Sequence, residues 1–314
     1  MDTVQARGLR KTYGDTRAVD GIDLSVPAGQ VVAILGANGA GKTTLIEMLL
    51  GMRRPDAGEV ALFGQRPGSR AVKARVGAML QDSDIPQSLT VAEIVGLVAT
   101  YYPRAVDVGG ALRRADLTAK ADTRANQLSG GQRQRLSFAM AIVGAPDLLF
   151  LDEPTAALDV EARRAFWEQV RGYAAEGVTV LFASHHMGEV EALADRVVVV
   201  HRGRVVADDT PAHVAGAVAT RRISLTTDVP ESRLRELVGT VAVHRSGTGG
   251  IAPDGLTDGL ADGPADGLTR YDIDSTAPEQ AVGALFRGGA RVDRLVVGDA
   301  DMETAFLHLI GYAA

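Results

Sequence analysis

Hydrophobic and polar positions alternate in two distinct styles along the chain. Near the N-terminus Ile22, Leu24 and Val26 interleave with Asp23 and Ser25, the period of two that predicts a half-buried strand, and Pro27-Ala28-Gly29 ends it in a turn. Residues 31–35 are continuously apolar, as a strand covered on both faces should be. Leu45, Ile46, Met48 and Leu49 follow at helical spacing and stop at Gly51. Residues 148–151 and 178–183 predict two more buried strands, and the helix between them carries Phe166, Val170 and Tyr173 on one face. Residues 197–200 and 204–207 predict a hairpin turning at Arg202-Gly203. Strands alternating with helices imply an α/β fold with a largely parallel sheet and an antiparallel β region before it. The stretch from about 82 to 145 reads as a helical insertion.

Beyond residue 216 the elements shorten. Strands at 223–226, 240–246, 271–274 and 292–297 and helices at 230–238 and 278–286 give the order β-α-β-β-α-β, which matches a ferredoxin-like unit, with a last helix from Asp301. Thr276 and Glu279 have capping-box spacing for the second of those helices. The expected domains are therefore 1–216 and 217–314. Between the middle strands an Asp-Gly pair recurs every fourth residue, at Asp254, Asp258, Asp262 and Asp266. Calcium-binding repeats use a nonapeptide spacing, so this segment, about 249–270, reads as a mobile loop at a hairpin tip.

Composition narrows the function. The 314 residues suffice for one large and one smaller domain, and 46% hydrophobic with 23% charged residues supports a packed core. A net charge of −6 argues against a nucleic-acid partner. The absence of cysteine excludes disulfides, thiolate metal sites and a Cys nucleophile. No run approaches the roughly 18–20 apolar residues of a membrane span. The first dozen residues lack an apolar signal core, so a cytoplasmic address is expected and any membrane role must come through a partner.

Gly36-Ala37-Asn38-Gly39-Ala40-Gly41-Lys42-Thr43 fits G-x-x-x-x-G-K-[ST] between a buried strand and a helix, the context in which such a loop cradles nucleotide phosphates. Its glycines let backbone N–H groups converge on phosphate oxygens, and the helix start adds unpaired N–H groups. Lys42 can reach the β- and γ-phosphates and Thr43 can ligate Mg²⁺. Lysine is scarce here, present only as Lys11, Lys42, Lys73 and Lys120, and its slim stem suits a narrow loop better than a guanidinium does. A second acidic site closes the strand 148–151. Asp152 suits Mg²⁺ and Glu153 is free to polarise an attacking water.

Between these motifs stands Leu128-Ser129-Gly130-Gly131-Gln132, before an apolar stripe of Leu136, Met140 and Val143. Through it the chain resembles the ABC ATPases, over about residues 4–214. The resemblance implies a P-loop NTPase core of the ABC type that binds ATP and Mg²⁺. Tyr13 would stack on adenine. Gly36, Asn38, Gly39, Ala40, Gly41, Lys42, Thr43 and Thr44 would hold the phosphates. Gln81 would sense Mg²⁺ beside Thr43 and Asp152, and His185 would contact the γ-phosphate with Glu153 as base. It also implies that Ser129, Gly130, Gly131, Gln132 and Asp159 act on ATP held by a second copy of the chain. Ala156 and Ala157 stand where the family usually has Ser/Thr-Gly, which alters the fine contacts of that segment. The tail from Asp301 resembles ATPases of the drug-, antibiotic- and lipid-export branch, whose permease is a separate integral membrane protein; such a subunit would sit on the inner face of the cell membrane. The alternative is a regulatory ABC ATPase that uses closure as a switch without transport.

Overall fold

The computed structural model describes residues 2–81, 84–217, 221–238, 242–245, 268–299 and 301–311. They fall into two compact units, Met1–Pro211 and Ala212–Ala314. Among the described residues no helix is long and apolar enough to cross a membrane.

The first unit is built on a six-stranded sheet. From edge to edge it runs β5 (Val76–Met79), β6 (Leu148–Asp152), β7 (Thr179–Ser184), β3 (Val31–Leu35), β8 (Arg196–His201) and β9 (Arg204–Asp209). Neighbours are parallel except β8 and β9. That hairpin turns through Arg202 and Gly203 with φ of 47° and 75°, two left-handed residues in succession, whose twist suits a two-residue hairpin. Every residue of β3, β6 and β7 is buried, which is why their middles are apolar runs, with polar residues only at the ends of β6 (Asp152) and β7 (Thr179 and Ser184).

An antiparallel sheet of β2 (Thr16–Pro27), β1 (Asp2–Tyr13) and β4 (Ala57–Leu62) shares one core with α1 (Lys42–Leu49) and one face of the large sheet. Leu9, Ile22, Leu45, Ile46, Ile34 and Phe150 meet there. The other face is covered by α5 (Gly130–Ile142) and α6 (Val160–Ala175), as the alternation of Phe182 against Leu181 and Ala183 requires. A relay of rings joins them: Phe138 to Phe166 at 4.9 Å and Phe166 to Trp167 at 5.3 Å, both edge-on, and Trp167 to Phe182 at 4.9 Å, tilted by 56°. Such pairs add roughly 0.5–1.5 kcal/mol each beyond burial.

The insertion is helical, as expected. It comprises α3 (Val91–Ala99), α4 (Val108–Arg114), two short 3₁₀ turns and α5, after the small α2 (Arg70–Lys73). The buried face of α5 is wider than the expected stripe. Phe138, Ala139, Ala141 and Ile142 are buried with Leu136, while Met140 is only partly covered, because α5 packs against α3, α4 and β5 from different sides. Helix α7 (Met187–Leu193) links β7 to β8, and α8 (Pro211–Gly216) follows β9.

The second unit is an antiparallel sheet in the order β11 (Ala242–Arg245), β12 (Thr269–Ser275), β10 (Arg221–Thr227), β13 (Val292–Asp299). With α9 (Glu231–Val238) and α10 (Pro278–Arg287) this is the strand order of a ferredoxin-like fold. Ile223, Leu225 and Ile273 pack on Leu234 and Leu285. The final helix, α11 (Met302–Leu309), starts at Asp301, whose side chain accepts the Thr304 N–H. One local expectation fails. The N-cap of α10 is Ala277, without a side-chain cap, because Pro278 takes the first helical position and leaves Thr276 one residue outside. The Asp-Gly repeat at 254–266, nearly all of the expected loop at 249–270, and the ends of the strand expected at 240–246 lie outside the described residues.

Candidate active site

The parallel strands deliver three segments to one end of the sheet. From β3 the chain enters the glycine-rich loop, whose Gly41 has a left-handed φ of 106° and caps α1. The loop is tied down by Ala40 N–H to the Ala37 carbonyl and by Gly203 N–H to the Ala40 carbonyl. Asn38, Gly39 and Thr43 are exposed and Thr44 is half-buried, and the N–H groups of the first turn of α1 have no partner within the helix.

Lys42 is buried beneath this loop. Its Nζ donates to the Gly36 carbonyl at 2.8 Å and, at 3.4 Å, to that of Ala37. It also lies 3.2 Å from Glu153 Oε1, an ion pair without hydrogen-bond alignment. Glu153 is 9% exposed and has φ 48°, a left-handed conformation uncommon outside glycine, which turns the chain sharply as β6 ends. Its other oxygen meets His185 Nδ1 at 2.8 Å, beyond the end of β7. Lys42, Glu153 and His185 thus form one continuous row, carried by the segments that follow β3, β6 and β7.

Asp152 stands beside this row. It is 1% exposed, and neither carboxylate oxygen has a hydrogen-bond partner. Burial pushes its carboxyl above the ordinary range; the Thr43 hydroxyl, near but short of a hydrogen bond, and the Lys42 ammonium pull the other way. A buried carboxylate with both oxygens unused is what a site for a divalent cation requires; Mg²⁺ typically takes one or two protein carboxylates together with substrate phosphates. The His185 and His186 rings, tilted by 39°, have centroids 4.0 Å apart, and burial holds His186 below its ordinary value.

The other expected residues lie apart from this row. Gln81 is exposed two residues beyond β5 and makes no hydrogen bond to Asp152. Tyr13, 41% exposed at the end of β1, has the Arg53 guanidinium 5.3 Å and the Lys11 ammonium 5.8 Å from its ring centroid. Ser129 caps α5 and exchanges hydrogen bonds with Gln132 in a capping box, leaving Ser129 and Gly130 exposed. The neighbours a side chain on Gly130 or Gly131 would meet are Ala157 and Leu158. Asp159 caps α6 by accepting the Ala162 N–H at 2.8 Å. Gln134 ties α5 to the loop after β6 by donating to the Pro154 carbonyl at 2.6 Å.

Sequence reasoning missed a buried polar cluster directly behind the row. Glu189, on the first turn of α7, accepts hydrogen bonds from Thr155 and Ser184 and lies beside Arg163. A glutamate one helical turn past His185 reads as a solvated charge, and no spacing marks it otherwise.

Residues 19–156 match the family described as ABC transporter. The chain is 40% identical over 215 residues to Nod factor export ATP-binding protein I of Burkholderia orbicola, covering 66% of this chain and 71% of that protein. It is 41% identical over 215 residues to the protein of the same name from Ralstonia nicotianae, covering 66% and 67%. Among solved structures it is similar to an ATP-binding subunit of an ABC transporter, with TM-score 0.62 and 26% identity over 68% of this chain and 91% of that one. It is also similar to a dimeric post-hydrolysis state of an ATP-binding cassette bound to ADP and Pi, with TM-score 0.62 and 25% identity over 66% and 98%.

Proposed function

The chain belongs to the ABC transporter family as an ATP-binding and ATP-hydrolysing subunit homologous to export ATPases, and from this premise we propose that it works as one half of an ATP-sandwich homodimer that energises a separate membrane permease. Backbone N–H groups of Gly36 and of residues 38–44 cradle the phosphates, and Tyr13 stacks on the adenine once the cations over its ring move aside. Ser129, Gly130, Gly131, Gln132 and Asp159, exposed or half-buried on their own chain, reach the nucleotide held by the second copy. Asp152, Thr43 and Gln81 would hold Mg²⁺. When bound, that ion neutralises charge on the β- and γ-phosphates.

Hydrolysis follows from the row of three. An arriving γ-phosphate competes with Glu153 for Lys42, and with its Lys42 contact loosened Glu153 can accept a proton from water. The water oxygen bonds to the γ-phosphorus, the bond to the β–γ bridging oxygen breaks, and His185 keeps Glu153 aimed. The observation that carries this reading is the Lys42–Glu153–His185 row beside a buried Asp152 with both oxygens unused.

Exposed Met52 and Tyr101 flank a groove of about 790 Å³ between β4–β5 and the helical insertion, a surface suited to an apolar segment of the permease. The names of the relatives favour export, and the inner face of the cell membrane is the place for such a subunit.

Glu153→Gln tests the assignment. With saturating Mg·ATP it should lose about 10²-fold or more of turnover while accumulating a nucleotide-filled dimer, measured by light scattering after gel filtration. A variant that stays monomeric, alone and with the permease, or that hydrolyses at the normal rate, overturns it.

A further inference from the structure

Glu153 and His185 stand at the ends of two different strands, and a buried carboxylate joins the backbone segments that carry them. Glu189 is 7% exposed. Its Oε1 accepts the Thr155 hydroxyl at 2.5 Å and its Oε2 the Ser184 hydroxyl at 2.8 Å. Arg163, from α6, places Nε 3.4 Å from Oε1. Thr155 lies two residues after Glu153, and Ser184 immediately precedes His185. The Ser184 oxygen also accepts the His186 N–H at 2.9 Å, and the Glu153 N–H donates to the Ala183 carbonyl at 3.1 Å. One carboxylate therefore has one oxygen on each flank of the Glu153–His185 pair.

Burying a carboxylate is strongly unfavourable unless its lone pairs are used and its charge is balanced. Here two hydroxyls and a guanidinium meet that condition. Two apolar side chains would link the strand ends with less desolvation, but they would not hold them in one relative position. Directional bonds do. Glu153 needs such support, because its left-handed backbone persists only where the surroundings over-determine it. The same Thr155 opens the segment Ala156-Ala157-Leu158-Asp159, whose Ala157 and Leu158 back onto Gly130 and Gly131.

We propose that Glu189 is a positioning residue for hydrolysis: through Thr155 and Ser184 it fixes the geometry of Glu153 against His185. The inference rests on the reading of Glu153 as the base. It separates rate from affinity, because Glu189 hydrogen-bonds neither the phosphate loop nor Tyr13. A displacement near 1 Å at a reacting group costs about 10²-fold, so removing one arm should cost about tenfold.

The experiment uses the full chain and compares Glu189→Gln, Thr155→Val, Thr155→Ser and Glu153→Gln in steady-state ATPase assays, with affinity for a fluorescent ADP analogue. Glu189→Gln and Thr155→Val should lower kcat about tenfold or more, with KM and ADP affinity within about threefold of wild type. Thr155→Ser, which restores the hydroxyl, should recover the rate. Wild-type kcat in both Glu189→Gln and Thr155→Val overturns the proposal. So does a parallel loss of rate and affinity, or a Thr155→Ser variant as slow as Thr155→Val. If Glu189→Gln does not fold, the Thr155 pair decides alone. Wild-type turnover in Glu153→Gln would instead refute the underlying base assignment, and the positioning role with it.

Discussion

Gly41→Ala tests how tightly the phosphate loop is built, and Gly39→Ala supplies its control. Gly41 has φ 106°, and a Cβ there would lie 2.1 Å from the Ala18 carbonyl oxygen, 3.3 Å from its carbon and 3.7 Å from Gly203 Cα. All three neighbours are backbone, held in β2 and in the β8–β9 turn, so the loop must shift by about 1 Å to reach an ordinary contact. Gly39 has φ 80°, and a Cβ there would meet nothing within 4 Å, so alanine costs only the left-handed strain. That strain is roughly 1–2 kcal/mol. Overpacking adds about 1–3 kcal/mol at Gly41, for a total of about 2–5 kcal/mol. In a unit of this size each kcal/mol moves the melting temperature about 2–4 °C. Gly41→Ala should therefore melt roughly 4–20 °C below wild type, and Gly39→Ala less than half as far. Because the loop carries the phosphate-binding N–H groups, Gly41→Ala should also lose ATP affinity by about 10²-fold. Thermal melts with and without nucleotide, and titration of a fluorescent ATP analogue, measure both. If Gly41→Ala melts and binds like Gly39→Ala, the close approach to Ala18 does not shape the loop.

Two further outcomes follow from burial. The folded state holds the Asp152 carboxyl above its ordinary value, so its favourable contribution is present at acidic pH and is lost as pH rises through that raised value. At neutral pH its charge is a net cost, and Asp152→Asn should raise nucleotide-free stability by about 1 kcal/mol while abolishing turnover. A lower melting temperature than wild type at pH 7 refutes this, and the difference should shrink as pH falls. Phe138 is fully buried against Phe166 and Tyr173, so Phe138→Ala should cost about 3–5 kcal/mol in denaturant unfolding. A loss under about 1 kcal/mol would mean that the ring relay does not hold α5 on α6.

Much of the site could be read before any tertiary structure. The strand β3, the loop from Gly36 to Lys42, the acids that end β6 and the Ser129-Gly130-Gly131 run ahead of α5 are all written in short stretches of chain. Their signals are periodicity, glycine at a tight turn and a short polar run before a helix, and these act between near neighbours. The same local reasoning erred at α10, where Thr276 and Glu279 matched a spacing but Pro278 occupied the first helical position.

By itself the sequence determined which segments become strands and helices, where phosphates can be bound, and which acids stand near them. Only the tertiary structure decided which charges are buried together. It set Lys42 against Glu153 and Glu153 against His185, and it left both oxygens of Asp152 without a partner. It also turned Glu189 inward onto Thr155 and Ser184. The physical reason is range. Backbone preference and side-chain periodicity are settled within a few residues, whereas desolvation and hydrogen bonding depend on what distant strands bring alongside.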